Sequence, residues 1–364
     1  MLKQLKLIVA LLLISLSSTA FAITTQQQAE LPALNALPNQ TSISGLSSGA
    51  FMAAQFHIAY SKSLVGAGIV AGGPWHCAGD ITTVANLTKA TTTCMNPCEY
   101  IPSFFCWNYL FPDSEYLVNV AKDKEHSGVI DPLVNLANDK VYIFSGSSDQ
   151  TVVTEVVDTT EQFYSLLGLE KTQVLYNKTT DAGHAFITTH TQDTQCDRTK
   201  APYINNCDIP QAKNILSHIY GAQKPAAQTL TGELIEFDQS EFFDQAISMD
   251  DKAFVYIPNN CRSDQCKVHV AVHGCQQGIS ELQTGYVEGT GYLEVADTNN
   301  IIVLFPQVKK SITPLNPNGC WDFWGYSSQK ITGDEYYSKE APQMLAIKKM
   351  IDRLIAQPTV LAKS

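Results

Sequence analysis

The chain has 364 residues, 45% of them hydrophobic and 16% charged, which is enough apolar material for a large core and argues against a disordered or collagen-like chain. Its formal net charge of -11 leaves no electrostatic footprint for nucleic acid or for an anionic membrane surface, and it suits a neutral substrate better than an anionic one.

The first residues read as an export signal. Lys3 and Lys6 form a basic start, residues 7–16 an apolar run, and Ala20-Phe21-Ala22 a small-x-small cleavage pattern. The expectation is cleavage after Ala22 and one catalytic domain over residues 23–364. The rival, an uncleaved membrane anchor, has too short an apolar run and no stop-transfer pattern behind it.

Residues 23–40 look like a lead-in. A short strand over 40–44 then runs into Gly45-Leu46-Ser47-Ser48-Gly49, and small and apolar residues at helical spacing follow over 50–61. Residues 64–72 read as a buried strand, and 74–115 as an irregular, disulfide-tied insertion rich in aromatics. A strand over 140–144 ends at Ser145-Gly-Ser-Ser-Asp149. A helix fits 152–167, a strand fits 172–176, and Asp181-Ala-Gly-His184 follows it. Residues 190–225 look like loop and short helix. Strands are expected over 230–237 and 251–257, near an edge, then over 267–272, ending in His273-Gly274-Cys275, and over 301–305. Residues 341–355 repeat apolar positions at helical spacing. Strands alternating with helices imply a mainly parallel α/β sheet covered on both faces.

All ten cysteines lie behind the export signal, which suits a disulfide set. Cys261/Cys266 and Cys196/Cys207 close short loops. Cys77, Cys94, Cys98 and Cys106 can supply two more bridges in an order the sequence leaves open, so Cys275 and Cys320 remain as partners. Zinc at Cys94-x-x-x-Cys98 lacks a second ligand pair. No metal or cofactor is expected.

The segment from Gly45 to Gly49 fits G-x-S-x-G between a strand and a helix, the setting of a nucleophile elbow. Ser47, not Ser48, has glycines two residues away on both sides. A nucleophilic serine needs a base and an orienting acid. His184 and Asp149 each follow a strand, and Ser47, Asp149, His184 is the chain order of the α/β-hydrolase fold. Asp181 is the rival acid, but so near His184 it suits shaping the turn. The oxyanion hole needs two backbone N–H donors. Ser48 supplies one by position and Cys275 is the candidate for the other. His273 reads as a loop-fixing residue rather than a second base. A His-Gly-Cys turn this late in the chain, where the fold ordinarily has it early, reads as a circular permutation.

Five segments together resemble the poly(3-hydroxybutyrate) depolymerases, in particular the group with a circularly permuted catalytic domain. They are Gly-Leu-Ser-Ser-Gly-Ala-Phe-Met-Ala-Ala-Gln from Gly45, Ser-Gly-Ser-Ser-Asp from Ser145, Gly-His-Ala-Phe from Gly183, Val-His-Gly-Cys-Gln-Gln from Val272 and Gly-Cys-Trp-Asp-Phe-Trp-Gly-Tyr from Gly319. The resemblance implies an exported serine esterase that acts on a polyester or its oligomers. It implies a triad of Ser47, Asp149 and His184, donors at Ser48 and Cys275, and a Cys275–Cys320 bridge. Many members carry a separate polymer-binding domain and none is expected here, so the catalytic domain must grip polymer itself or act on oligomers. Trp321 and Trp324, with Phe323 and Tyr326, are the candidate subsite walls, against core packing as the plainer reading. An esterase for soluble esters is the alternative within enzymes, and a non-catalytic exported binding protein the alternative outside them. The sequence leaves oligomeric state and the choice between periplasm and medium open.

Overall fold

The apolar runs spaced along the chain become the strands of one large sheet in the computed structural model, which describes residues 29–358 apart from 80, 329 and 331–334. The expected signal peptide lies outside the described residues. In chain order the elements are β1 (Thr41–Leu46), α1 (Ser48–Ala59), β2 (Leu64–Val70), α2 (Thr83–Thr91), α3 (Ser114–His126), β3 (Lys140–Phe144), α4 (Thr154–Leu166), β4 (Val174–Asn177), β5 (Phe186–Thr188), β6 (Thr194–Gln195), β7 (Ile204–Asn206) and α5 (Gln211–Tyr220). The second half adds β8 (Glu233–Asp238), β9 (Lys252–Ile257), β10 (Lys267–Val272), α6 (Ile279–Leu282), α7 (Gly285–Gly289), α8 (Tyr292–Asn299), β11 (Ile301–Phe305) and α9 (Pro342–Ile355).

The eight-stranded sheet has the order β4-β3-β2-β1-β10-β11-β9-β8. Its six strands from β4 to β11 pair in parallel, and β9 and β8 continue it antiparallel. Strand β1 sits between β2 and the much later β10, with Gly45 opposite Val272 and Leu46 opposite Val70. That is the placement a permuted chain requires. If β8 is counted as first, β10 is third along the chain, and the loop after the third strand is where this architecture keeps its second oxyanion donor.

Both faces of the sheet are covered, so its strands carry apolar residues on both sides. Ile43, Ile69, Ile143, Val270 and Leu304 pack with α1, α3, α4 and α9 on one face. Val70, Phe144, Ala271, Val303 and Phe305 pack with α5, α7 and α8 on the other. Every residue of α1 is buried, and so the helix that leads away from Ser47 has no solvated side.

Five helices, α2, α3, α6, α7 and α8, lie where the sequence reading had none. Residues 83–91 of the insertion form α2, capped by the Thr82 side chain on the Ala85 N–H. Helix α3 is capped by Asp113 on the Tyr116 N–H and carries basic residues in its last turn, a signal present in the sequence. Helix α8 starts at Gly291 in the left-handed conformation. The loop region after His184 holds a small sheet of order β5-β7-β6 in addition to α5. Its strands are two or three residues long, too short to show a period.

Candidate active site

Parallel strands end on one side of a sheet, and the loops beyond β1, β3, β4 and β10 bring the candidate residues together there. Strand β1 ends at Leu46 and α1 begins at Ser48, so the whole reversal falls on Ser47, whose backbone sits at φ 57° and ψ −120°. A side-chain-bearing residue in that region costs about 1–3 kcal/mol and persists where its surroundings over-determine it. Here the Ser47 N–H donates to Val70 O at 2.9 Å, and Ser47 O accepts from the Ala50 and Phe51 N–H groups at 2.9 and 3.0 Å.

The flanking glycines follow from close approach. A Cβ on Gly45 would lie 2.4 Å from backbone atoms of Gly49, and one on Gly49 would lie 2.4 Å from the carbonyl oxygens of Val272 and His273. Gly49→Ala should therefore push α1 off the end of β10 and cost roughly 3 kcal/mol, the upper end for overpacking. Urea denaturation would detect this, and an unchanged midpoint would remove the close-approach argument.

Asp149 and His184 meet in an almost fully buried pair. His184 Nδ1 donates to Asp149 Oδ2 at 2.7 Å. The other carboxylate oxygen accepts the N–H groups of Thr151 and Val152 at 2.8 and 3.0 Å. The His184 N–H is held by Thr199 Oγ1 at 2.8 Å. No hydrogen bond occupies His184 Nε2 among the described residues, and His184 and Ser47 line the same cavity of about 440 Å³. Asp181 lies elsewhere, exposed, accepting the Ser148 hydroxyl. It shapes the turn and does not touch the imidazole.

The turn after β10 forms the opposite wall. His273 is fully buried: Nδ1 donates to Gly274 O at 2.7 Å and Nε2 accepts the Val308 N–H at 3.2 Å. Burial lowers its pKa to about 4, so it stays neutral with both nitrogens engaged. This is a loop-fixing histidine. Gln277 completes the brace, accepting the Gly274 N–H at 2.7 Å and donating to Pro202 O at 2.8 Å. Among the described residues neither the Ser48 nor the Cys275 N–H has an acceptor, and Ser47 and Cys275 line one cavity. Two unengaged N–H donors beside a serine and a carboxylate-oriented imidazole can run acyl transfer.

The cysteines pair as Cys77–Cys94, Cys98–Cys106, Cys196–Cys207, Cys261–Cys266 and Cys275–Cys320. The order left open in the first cluster is thus 77–94 and 98–106, which uses both cysteines of the zinc alternative.

The two tryptophans separate. Trp324 lines the cavity with Phe323, which stacks on Phe51 at 4.3 Å between ring centroids. Trp321 is a correction to the sequence expectation: it is 0% exposed and packs against His273 behind the wall. Tyr326 also points away, donating to Cys320 O at 2.6 Å. The sequence reading missed other parts of the wall, among them Leu87 and Ala90 from α2 with Met95 and Leu315. For α2 the one available signal was the i, i+3 spacing of Val84, Leu87 and Ala90.

No protein-family model matches the chain. It is 41% identical over 330 residues to a poly(3-hydroxybutyrate) depolymerase of Delftia acidovorans, covering 89% of this chain and 61% of that protein's length. It is 37% identical over 314 residues to a polyhydroxybutyrate depolymerase of Talaromyces funiculosus, covering 81% of this chain and 85% of that one. Among solved structures it superposes on PHB depolymerase from Penicillium funiculosum with a TM-score of 0.75 at 34% identity, covering 90% of this chain and 99% of the other. A serine-to-alanine variant of PHB depolymerase complexed with an R3HB trimer gives 0.74 at 33% identity, with the same coverage. The α/β-hydrolase architecture is shared with these structures.

Proposed function

The chain belongs to the poly(3-hydroxybutyrate) depolymerase family, and from that premise we propose that it is a serine esterase that cleaves the ester bonds of polyhydroxybutyrate or its oligomers through an acyl-enzyme. His184 takes the Ser47 proton as Oγ attacks the ester carbonyl, and Asp149 orients the imidazole and offsets its charge. The Ser48 and Cys275 N–H groups receive the oxyanion, each worth about 3–4 kcal/mol in comparable sites. His184 then protonates the leaving alcohol, and water repeats the sequence on the acyl-enzyme.

The observation that supports this reading most is the Asp149–His184 pair, with Nε2 unengaged, in one cavity with Ser47. An apolar cavity with few polar groups suits a short hydroxyacyl chain. Five disulfides suit an oxidising compartment and hence export. No helix among the described residues is long and apolar enough to cross a membrane. The deciding experiment compares clearing of a polyhydroxybutyrate suspension with cleavage of p-nitrophenyl butyrate. Clearing is expected, and cleavage of the soluble ester alone would replace the polyester reading with a general esterase.

One surface suits an insoluble substrate. Tyr100, Phe104 and Phe105, on the loop closed by Cys98–Cys106, and Trp107 and Tyr109 just after it are each more than half exposed. Single exposed apolar residues are ordinary, but five exposed aromatics within residues 100–109 are not. The loop sits beside the acid: Asn96 Nδ2 donates to Gln150 O at 3.0 Å, and the Val153 N–H donates to Met95 O at 3.0 Å. Replacing Phe104, Trp107 and Tyr109 together by serine should slow clearing about tenfold, 1.4 kcal/mol of adsorption, while p-nitrophenyl butyrate cleavage stays within about twofold. Equal losses on both substrates would sink this role.

A further inference from the structure

We propose that Asp322 is a positioning residue, whose buried carboxylate folds the loop that carries both the aromatic wall of the cleft and the cysteine that tethers the Cys275 N–H. The proposal rests on the reading of the cleft given above.

Residues 319–328 form no regular element, so something other than a backbone ladder must hold them. Asp322 is 2% exposed. Its Oδ1 accepts the N–H groups of Trp324, Gly325 and Tyr326 at 3.1, 2.6 and 3.1 Å. Its Oδ2 accepts the Ser327 N–H and hydroxyl at 2.9 and 2.6 Å. Among the described residues no lysine, arginine or histidine pairs with it. Burial pushes its pKa up, and the hydrogen bonds from Ser327, Gly325 and Trp324 oppose that shift. The loop is thus wound around one carboxylate. The backbone of Asp322 is fixed from both sides, since its N–H donates to Gln343 on α9 at 2.8 Å and its carbonyl accepts from Gln55 on α1 at 3.0 Å.

Its neighbours give the arrangement a consequence for the chemistry. Two residues before it, Cys320 is bridged to Cys275. One residue before it, the Trp321 N–H donates to Ser48 Oγ at 3.2 Å, on the residue whose N–H is the other proposed oxyanion donor. Just after it, Phe323 and Trp324 line the cleft. Asparagine cannot replace the carboxylate, because its NH2 would face the Ser327 N–H, donor against donor, even though the Ser327 hydroxyl could turn to accept.

The test uses the full chain with Asp322→Asn, the milder Ser327→Ala, and the bridge-less Cys275→Ser/Cys320→Ser, which keeps the backbone N–H. Loss of one oxyanion donor costs about 10²–10³ in kcat; displacing it should cost less, about tenfold for Asp322→Asn, with KM raised about fivefold. Ser327→Ala should move both in the same direction by about threefold, and it carries the test if Asp322→Asn does not fold. On the bridge-less background the kcat effect of Asp322→Asn should shrink to less than about twofold while the KM effect persists, since only the first travels through Cys320. A readout independent of activity is the rate at which dithiothreitol reduces Cys275–Cys320, followed by alkylation and mass spectrometry. It should rise several-fold in Asp322→Asn, with the other four bridges unchanged. A lower melting temperature with kcat, KM and reduction rate all unchanged would make Asp322 merely structural and overturn the proposal. So would kcat losses that multiply on the bridge-less background. If the wild type cleaves no ester, the functional reading fails, and the reduction rate still decides whether Asp322 holds the tether.

Discussion

Ser47→Ala is expected to lower kcat for ester cleavage by about 10⁶-fold and leave the protein folded. Covalent catalysis splits acyl transfer into two steps, and both are lost with Oγ. What remains is binding and the N–H pair, worth about 10³–10⁴ over water in comparable sites. The fold should not notice. Ser47 is held through its backbone, with its N–H donating to Val70 and its carbonyl accepting from Ala50 and Phe51. Alanine strains at φ 57° no more than serine does. Ser48→Ala is the control: its hydroxyl accepts the Trp321 N–H and its backbone N–H is retained. A loss of about tenfold or less is expected there, the cost of one neutral hydrogen bond. Steady-state cleavage of p-nitrophenyl butyrate and labelling by a fluorophosphonate probe read both variants. Full activity or undiminished labelling in Ser47→Ala would move the nucleophile elsewhere, and no labelling of the wild type would favour a binding protein.

The elbow was legible because its requirements are local. A serine at positive φ between a strand and a fully buried helix needs glycines two residues away, and the sequence carries them. The candidate acid and base were legible because each closes a recognisable strand, and the candidate oxyanion turn because His-Gly-Cys ends an apolar run. What could not be read was set by packing between distant segments. Trp321 and Trp324 stand three residues apart with similar neighbours. Which of them faces the cleft depends on how the loop winds around Asp322, and no periodicity records that. The walls contributed by α2 and by Leu315 come from regions the sequence reading gave as an irregular insertion or assigned no element. A second pair makes the same point in reverse. His57 Nε2 lies 2.9 Å from Asp139 Oδ2, with Nδ1 3.0 Å from Tyr164 Oη, yet His57 is 0% exposed and both nitrogens are engaged. An aspartate beside a histidine is a structural clamp there. At residues 149 and 184 it differs in leaving Nε2 unengaged at a cavity that also holds a strained serine.

That difference gives the second large effect: Asp149→Asn should reduce kcat by about 10⁴-fold with little change in stability. The carboxylate meets two different demands. One oxygen accepts the N–H groups of Thr151 and Val152, and the other accepts His184 Nδ1–H at 2.7 Å. Asparagine can satisfy the first with its carbonyl oxygen, so the loop after β3 keeps its shape. Its NH2 then faces the imidazole, and a donor there turns Nδ1 into the acceptor. The ring proton moves to Nε2, the atom that must take the proton from Ser47. The variant would hold every heavy atom in place and still lack a base. Asp181→Asn, the rival acid, meets only the Ser148 hydroxyl at an exposed turn, which the amide oxygen can still accept, and should stay within about threefold of wild type. Measured side by side on one soluble ester, the two substitutions separate the roles. A severe loss in Asp181→Asn with a mild one in Asp149→Asn would exchange them, and comparable mild losses would show that His184 works without an orienting carboxylate.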